Sequence, residues 1–121
     1  MQSILLIEDD KKISMALALR LTSMGYEVSS ASDAVYAMNA AIRSRPKVVL
    51  LDINLPGGDG FVVADRMRAS VELAGTPIIF ITASKDPSLR MRAGDYAASR
   101  FIEKPFQSVQ LTDAIDQLSH L

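Results

Sequence analysis

The chain has 121 residues, 49% of them hydrophobic, with no cysteine and a formal net charge of −1. That length suits one domain burying roughly two-thirds of its unfolded surface, while the missing thiols exclude disulfides and thiolate metal sites. The balanced charge gives no basic field for direct nucleic-acid binding, and the apolar run Ile4 to Ile7 is far too short for a signal peptide or a membrane span, so a soluble, cytoplasmic protein is expected.

In chain order, Ser3 to Ile7 reads as a buried strand that runs straight into three acids, Glu8, Asp9 and Asp10. Ile13, Ala16, Leu17, Leu21 and Met24 recur at helical spacing, with Asp10 available as the N-cap and Gly25 placed as the stop. Tyr26 to Ser30 alternates as a short second strand. Ser32 or Asp33 then caps a second helix whose Val35, Met38 and Ile42 share a face, and Pro46 closes it.

The central stretch follows. Val48 to Leu51 is a strand apolar on both faces that stops at a carboxylate, Asp52. Pro56, Gly57 and Gly58 force a turn directly afterwards, which places Asp52 at a strand mouth, where ligands bind in open parallel sheets. A third helix spans Phe61 to Ala69, with Phe61, Ala64 and Met67 as its inward candidates. Ile78 to Ile81 is a fourth buried strand and ends in small, mostly hydroxylic residues, Thr82, Ala83 and Ser84. Pro87 opens a fourth helix reaching to about Ala97, although Gly94 weakens its end. Phe101 and Ile102 mark a short fifth strand, Lys104-Pro105-Phe106 breaks the chain, and Leu111, Ala114, Ile115 and Leu118 line a closing helix capped by Gln107 or Ser108.

Five strands alternating with five helices predict an α/β fold with a doubly wound parallel sheet, because parallel strands require right-handed crossovers. If strands one, three, four and five are neighbours, their carboxyl ends bring Glu8, Asp9, Asp52, Thr82 and Lys104 to one rim. Three carboxylates there repel strongly, since two charges ~4 Å apart cost about 4 kcal/mol at an effective dielectric of about 20. Lys104 supplies one cation, and a hard divalent ion, with Mg²⁺ the natural candidate, suits the rest. A carboxylate beside a cation, a hydroxyl and free backbone amides is arranged to attack a phosphoryl group, with Asp52 as nucleophile and an acyl phosphate as product.

These residues resemble the receiver domains of two-component response regulators, chemotaxis-type proteins of flavodoxin-like fold. The likeness runs over essentially the whole chain, residues 1–121: Glu8-Asp9 after strand one, Asp52 within Leu-Asp-Ile-Asn-Leu-Pro-Gly-Gly-Asp-Gly, Thr82-Ala83 after strand four, and Lys104-Pro105-Phe106 after strand five. The resemblance implies strand order 2-1-3-4-5 and a phosphorelay role, in which Asp52 accepts a phosphoryl group from a sensor histidine kinase or histidine phosphotransfer protein. It implies that Asp9, Asp52 and the backbone carbonyl of Asn54 hold Mg²⁺, that Glu8 orients its waters, and that Lys104 contacts the phosphoryl group through a loop with a cis Lys104-Pro105 bond. Thr82 and Phe101 then form the switch that alters the face of helix four, strand five and helix five, read by a downstream protein or an attached output domain. Ala83 leaves the site open to water, with Asn54 and Ser84 flanking the opening, so unassisted hydrolysis is expected. Ala97-Ala98 stands where many family members carry Gly-Ala. Asp113 and Asp116 occupy helix-five positions that tend to be basic in receivers dimerising through this face, so a monomer is expected.

Plainer readings stand beside these. Asp10 fits a helix cap better than a ligand, though the register leaves Asp9-Asp10 open as the acidic pair. Gly57, Gly58 and Gly60 fit turns, and His120 carries no role. An unphosphorylated docking module is the main alternative function, and an aspartyl phosphatase is disfavoured because Asn54 stands where a second Asp would act as general acid. A flavin-binding relative is weaker still, because Glu8, Asp9 and Asp10 repel phosphate.

Overall fold

In the computed structural model, which describes residues 2–56 and 59–119, five strands of five residues each carry the chain. They are β1 (Ser3–Ile7), β2 (Glu27–Ala31), β3 (Val48–Asp52), β4 (Ile78–Thr82) and β5 (Ser99–Glu103). All pair in parallel in the order β2-β1-β3-β4-β5, as expected for the flavodoxin-like receiver fold. Every residue of β3 and β4 is buried, which is why both read as unbroken apolar runs rather than alternating ones.

Five helices form the crossovers: α1 (Lys11–Ser23), α2 (Ala34–Ser44), α3 (Gly60–Ala69), α4 (Pro87–Ala93) and α5 (Ser108–Ser119). One core packs α1 and α5, through Leu17, Leu21, Leu111 and Ile115, against Ile4, Leu50 and Ile79 of the sheet. The other packs Ala37, Ala41, Phe61, Met67 and Ala93 of α2, α3 and α4 against Leu5, Leu51 and Phe80. No helix among the described residues is long and apolar enough to cross a membrane.

The caps settle several sequence alternatives. Asp10 accepts from the backbone N–H groups of Lys12 and Ile13 at 2.9 and 3.2 Å, so it starts α1. Asp33, not Ser32, caps α2 through Tyr36 N–H at 3.0 Å. Gly25 follows α1 at φ +94°, a backbone state open to glycine. Gln107 precedes α5, and its N–H is taken by Gln110 Oε1 at 2.9 Å. Gly57, Gly58 and His120 lie outside the described residues.

Other expectations need correction. β2 starts one residue later than Tyr26–Ser30, because its pairing with β1 sets Ser3 opposite Glu27 and Ile7 opposite Ala31. On α1, Ala16 and Met24 are exposed. α2 buries Ala34, Ala37 and Ala41, while Val35 and Ile42 face outward at 63% and 39% exposure. α4 stops at Ala93 with Gly94 as its C-cap, well short of Ala97, and the released residues lengthen β5 to Ser99–Glu103. Ala98 sits there at φ +53°, with its carbonyl accepting from Ile78 N–H at 3.0 Å, while Arg68 grips the Ala97 carbonyl at 2.6 Å. Tertiary hydrogen bonds thus hold a left-handed alanine where glycine is the easier choice.

Gly60 is no ordinary turn residue. A Cβ on it would lie 2.6 Å from the Asp52 carbonyl oxygen and 2.9 Å from Ile53 Cα, so α3 starts in direct backbone contact with the end of β3. Gly60→Ala is therefore expected to destabilise the protein by about 1–3 kcal/mol, the usual range for overpacking. Urea unfolding of both proteins reads this directly, and an unchanged midpoint would contradict the contact.

Candidate functional site

Parallel pairing puts the carboxyl ends of β1, β3, β4 and β5 along one rim, and the residues that follow them converge. Asp52 is the last residue of β3 and is 6% exposed, Glu8 follows β1 at 4%, and Thr82 ends β4 at 0%. Lys104, just past β5, reaches both buried acids: its Nζ donates to Glu8 Oε2 at 2.9 Å and to Asp52 Oδ2 at 3.0 Å. Its backbone N–H donates to the Thr82 carbonyl at 2.8 Å, which anchors the lysine's own stem to β4. The Lys104-Pro105 bond is cis.

Backbone donors finish the carboxylates. Asn54 N–H donates to Asp52 Oδ1 at 2.9 Å, and Asp10 N–H to Glu8 Oε1 at 3.2 Å. Thr82 Oγ1 accepts from Ser84 N–H at 3.0 Å and lies 3.5 Å from Asn54 Nδ2, so the hydroxyl is bound to its own loop. These amides carry no sequence signal, because any residue type supplies one; only the turn that aims them matters.

Charge is unevenly balanced at the rim. Carboxylate oxygens of Glu8, Asp9 and Asp52 all lie within 4.8 Å of one another, with Asp9 exposed and the other two buried. Burial first, then the hydrogen bond and charge of Asp52, push Glu8 up to about 7 against the opposing pull of Lys104. Burial acts to lower Lys104, but its hydrogen bonds to Glu8 and Asp52 outweigh that and leave it above the ordinary lysine value. One ammonium thus faces three carboxyl groups, and the surplus of hard oxygen donors fits a divalent cation. Asp10 is the α1 cap, so Glu8-Asp9 is the acidic pair that joins Asp52.

The remaining candidates surround this group. Ala83 is exposed, Ser84 half-buried and Asn54 exposed, all beside Asp52 and Thr82 in sequence or by hydrogen bond. Phe101 is half-buried on β5, directly opposite Phe80 of β4, and packs on the core shared with α2, α3 and α4. The rim as a whole therefore combines a buried carboxylate, a bound ammonium, a hydroxyl and a group of three acids that could hold a cation. Such a set suits transfer of an anionic group to Asp52.

Residues 4–116 match the family model for the response regulator receiver domain. The chain is 33% identical over 106 residues to the DNA-binding dual master transcriptional regulator RpaA of Synechocystis, covering 88% of this chain and 44% of that protein. It is 38% identical over 107 residues to the transcriptional regulatory protein AfsQ1 of Streptomyces coelicolor, covering 88% of this chain and 46% of the relative. The chain thus spans less than half the length of these two relatives. In structure, it is similar to a putative response regulator from Chloroflexus aurantiacus at TM-score 0.92 and 27% identity, over 99% of this chain and 98% of the other.

The Glu8 shift has a definite sign. Folding raises its affinity for a proton from an ordinary value of 4.5 to about 7, so the stability it contributes is present below about pH 4.5 and is lost as pH rises through about 7. In EDTA, Glu8→Gln is expected to flatten the fall in melting temperature of the wild type between pH 5 and pH 8. Parallel pH profiles for the two proteins would refute this placement of Glu8.

Proposed function

The chain belongs to the response regulator receiver domain family, phosphoacceptor switches of two-component signalling, and from that premise we propose that Asp52 takes a phosphoryl group from the phosphohistidine of a sensor kinase or phosphotransfer protein. The observation carrying this reading is the Lys104 ammonium held 3.0 Å from Asp52 at a rim that also gathers Glu8, Asp9 and Thr82. An Asp52 oxygen attacks phosphorus as the phosphorus–nitrogen bond to imidazole breaks, and the imidazole nitrogen leaves with that bond's electron pair. Asp9, Asp52 and the Asn54 backbone carbonyl would hold Mg²⁺, with Glu8 orienting its waters, and the ion would supply positive charge at the site. Lys104 neutralises a phosphoryl oxygen once Asp52 is phosphorylated.

Thr82 then gives up Ser84 N–H and turns its hydroxyl toward the phosphoryl oxygen, and Phe101 fills the space it leaves. The face of α4, β5 and α5 changes, and a downstream protein or an attached output domain reads that change. The whole chain, residues 1–121, serves as this one domain, as a monomer in the cytoplasm. Net charge of −1 gives this chain no direct hold on nucleic acid. The methyl of Ala83 leaves the acyl phosphate open to water, and Asn54 and Ser84 offer that water polar partners, so the mark removes itself.

Incubation with acetyl phosphate and Mg²⁺ is expected to add one labile phosphoryl group by mass, lost with EDTA or in Asp52→Asn. No gain under any condition would favour an unphosphorylated docking module instead. Asn54→Ala is expected to slow decay of the acyl phosphate roughly five-fold, the worth of about one hydrogen bond to the attacking water. An unaltered decay rate would remove Asn54 from that role.

A further inference from the structure

The ring of Phe101 is covered by a cation from α4. Arg90 places its guanidinium carbon 4.7 Å from the ring centroid, and its Nη2 lies 3.7 Å from Glu103 Oε1. Glu103 is two residues beyond Phe101 on β5, hence on the same side of the sheet. Its other oxygen accepts from Lys85 Nζ at 3.1 Å, and that ammonium also reaches the Lys104 carbonyl at 3.4 Å. One carboxylate therefore ties together the loop after β4, helix α4 and the strand that carries the ring.

Packing alone does not hold that ring. Phe101 is half-buried and borders an open pocket of about 190 Å³ between α4 and β5, lined also by Arg90, Ala93, Gly94, Ser99 and Arg100, so one side of the ring is covered by side chains that reach solvent. In the loop, Lys85 follows Ser84, whose N–H occupies Thr82 Oγ1 at 3.0 Å. Turning that hydroxyl toward Asp52 frees the Ser84 amide, one residue before Lys85.

We propose that Glu103 is a positioning residue of the switch: by holding Lys85 and Arg90 it keeps the loop and the Phe101 ring in the unphosphorylated arrangement, and so sets how readily Asp52 takes a phosphoryl group. This rests on the reading of Thr82 and Phe101 given above. The side chains of Lys85 and Arg90 are 69% and 60% exposed, so each ion pair is weak and the expected effect is about two- to five-fold. A two-state switch responds to a bias of that size, provided the contacts differ between its states.

Glu103→Gln keeps the size of the side chain and removes its charge. With acetyl phosphate and Mg²⁺ at low salt, it is expected to take up phosphoryl two to five times faster than wild type and to shift the NMR signals of the Phe101 ring before any phosphoryl donor is added. Arg90→Ala is expected to act in the same direction, and the double variant to do less than the sum of the two, because both remove the Arg90–Glu103 pair. The difference from wild type is expected to vanish near 1 M salt, where the Debye length is about 3 Å. Equal uptake rates with unmoved ring signals, or fully additive effects in the double variant, would overturn the role of Glu103 while leaving the phosphoacceptor reading intact. A wild type that takes no phosphoryl group would overturn that reading and this proposal together.

Discussion

The Lys104 ammonium between Glu8 and Asp52 is the interaction on which the rim depends. Two carboxyl groups, 4% and 6% exposed, end neighbouring strands, and a lone buried charge of that kind is strongly unfavourable. Lys104 meets both from 96 and 52 residues away in sequence. Losing one partner of such a buried set typically costs about 3–5 kcal/mol, because the other charge is left uncompensated. The lysine is in turn held by its own N–H on Thr82, so the arrangement exists only when β5 has paired with β4. Folding and site assembly are therefore one event.

The same strand ends hold Asp52 and Thr82 in different ways. Asp52 terminates a strand with every residue buried, and the backbone of Gly60 presses on its carbonyl, so its position is fixed by packing on all sides. Thr82 is as deeply buried, but its hydroxyl is engaged by a backbone amide of the loop that follows rather than by the acids beside it. Glu103 fastens that loop from outside through exposed ion pairs. A buried carboxylate at the end of its strand thus stands beside a hydroxyl whose partners, Ser84 N–H at 3.0 Å and Asn54 Nδ2 at 3.5 Å, lie outside the acid group.

Where sequence and structure part, the causes are particular. The β2 boundary follows from register against β1, and no residue within Tyr26 to Ala31 announces it. On α2 Met38 packs against the core as its spacing suggests, but Val35 and Ile42 face outward and the fully buried positions are Ala34, Ala37 and Ala41. α4 ends at Gly94, the weak point already visible in the sequence, and beyond it Arg68 and Ile78 take the carbonyls of Ala97 and Ala98, partners distant in sequence that no local propensity includes.

The sequence by itself determined the alternation of strands and helices, the Asp10 cap of the first helix, and which acid, hydroxyl and lysine follow each strand. Buried parallel strands are legible because they must be apolar throughout, and a charge or hydroxyl at their ends interrupts that pattern visibly. Only the tertiary structure decided that Glu8 and Asp52 share one ammonium, that Asn54 and Ser84 contribute backbone amides, that Gly60 is a contact rather than a turn, and that Glu103 clasps the loop. Those features depend on distance and direction between strands far apart in the chain, and side-chain type along one dimension carries neither.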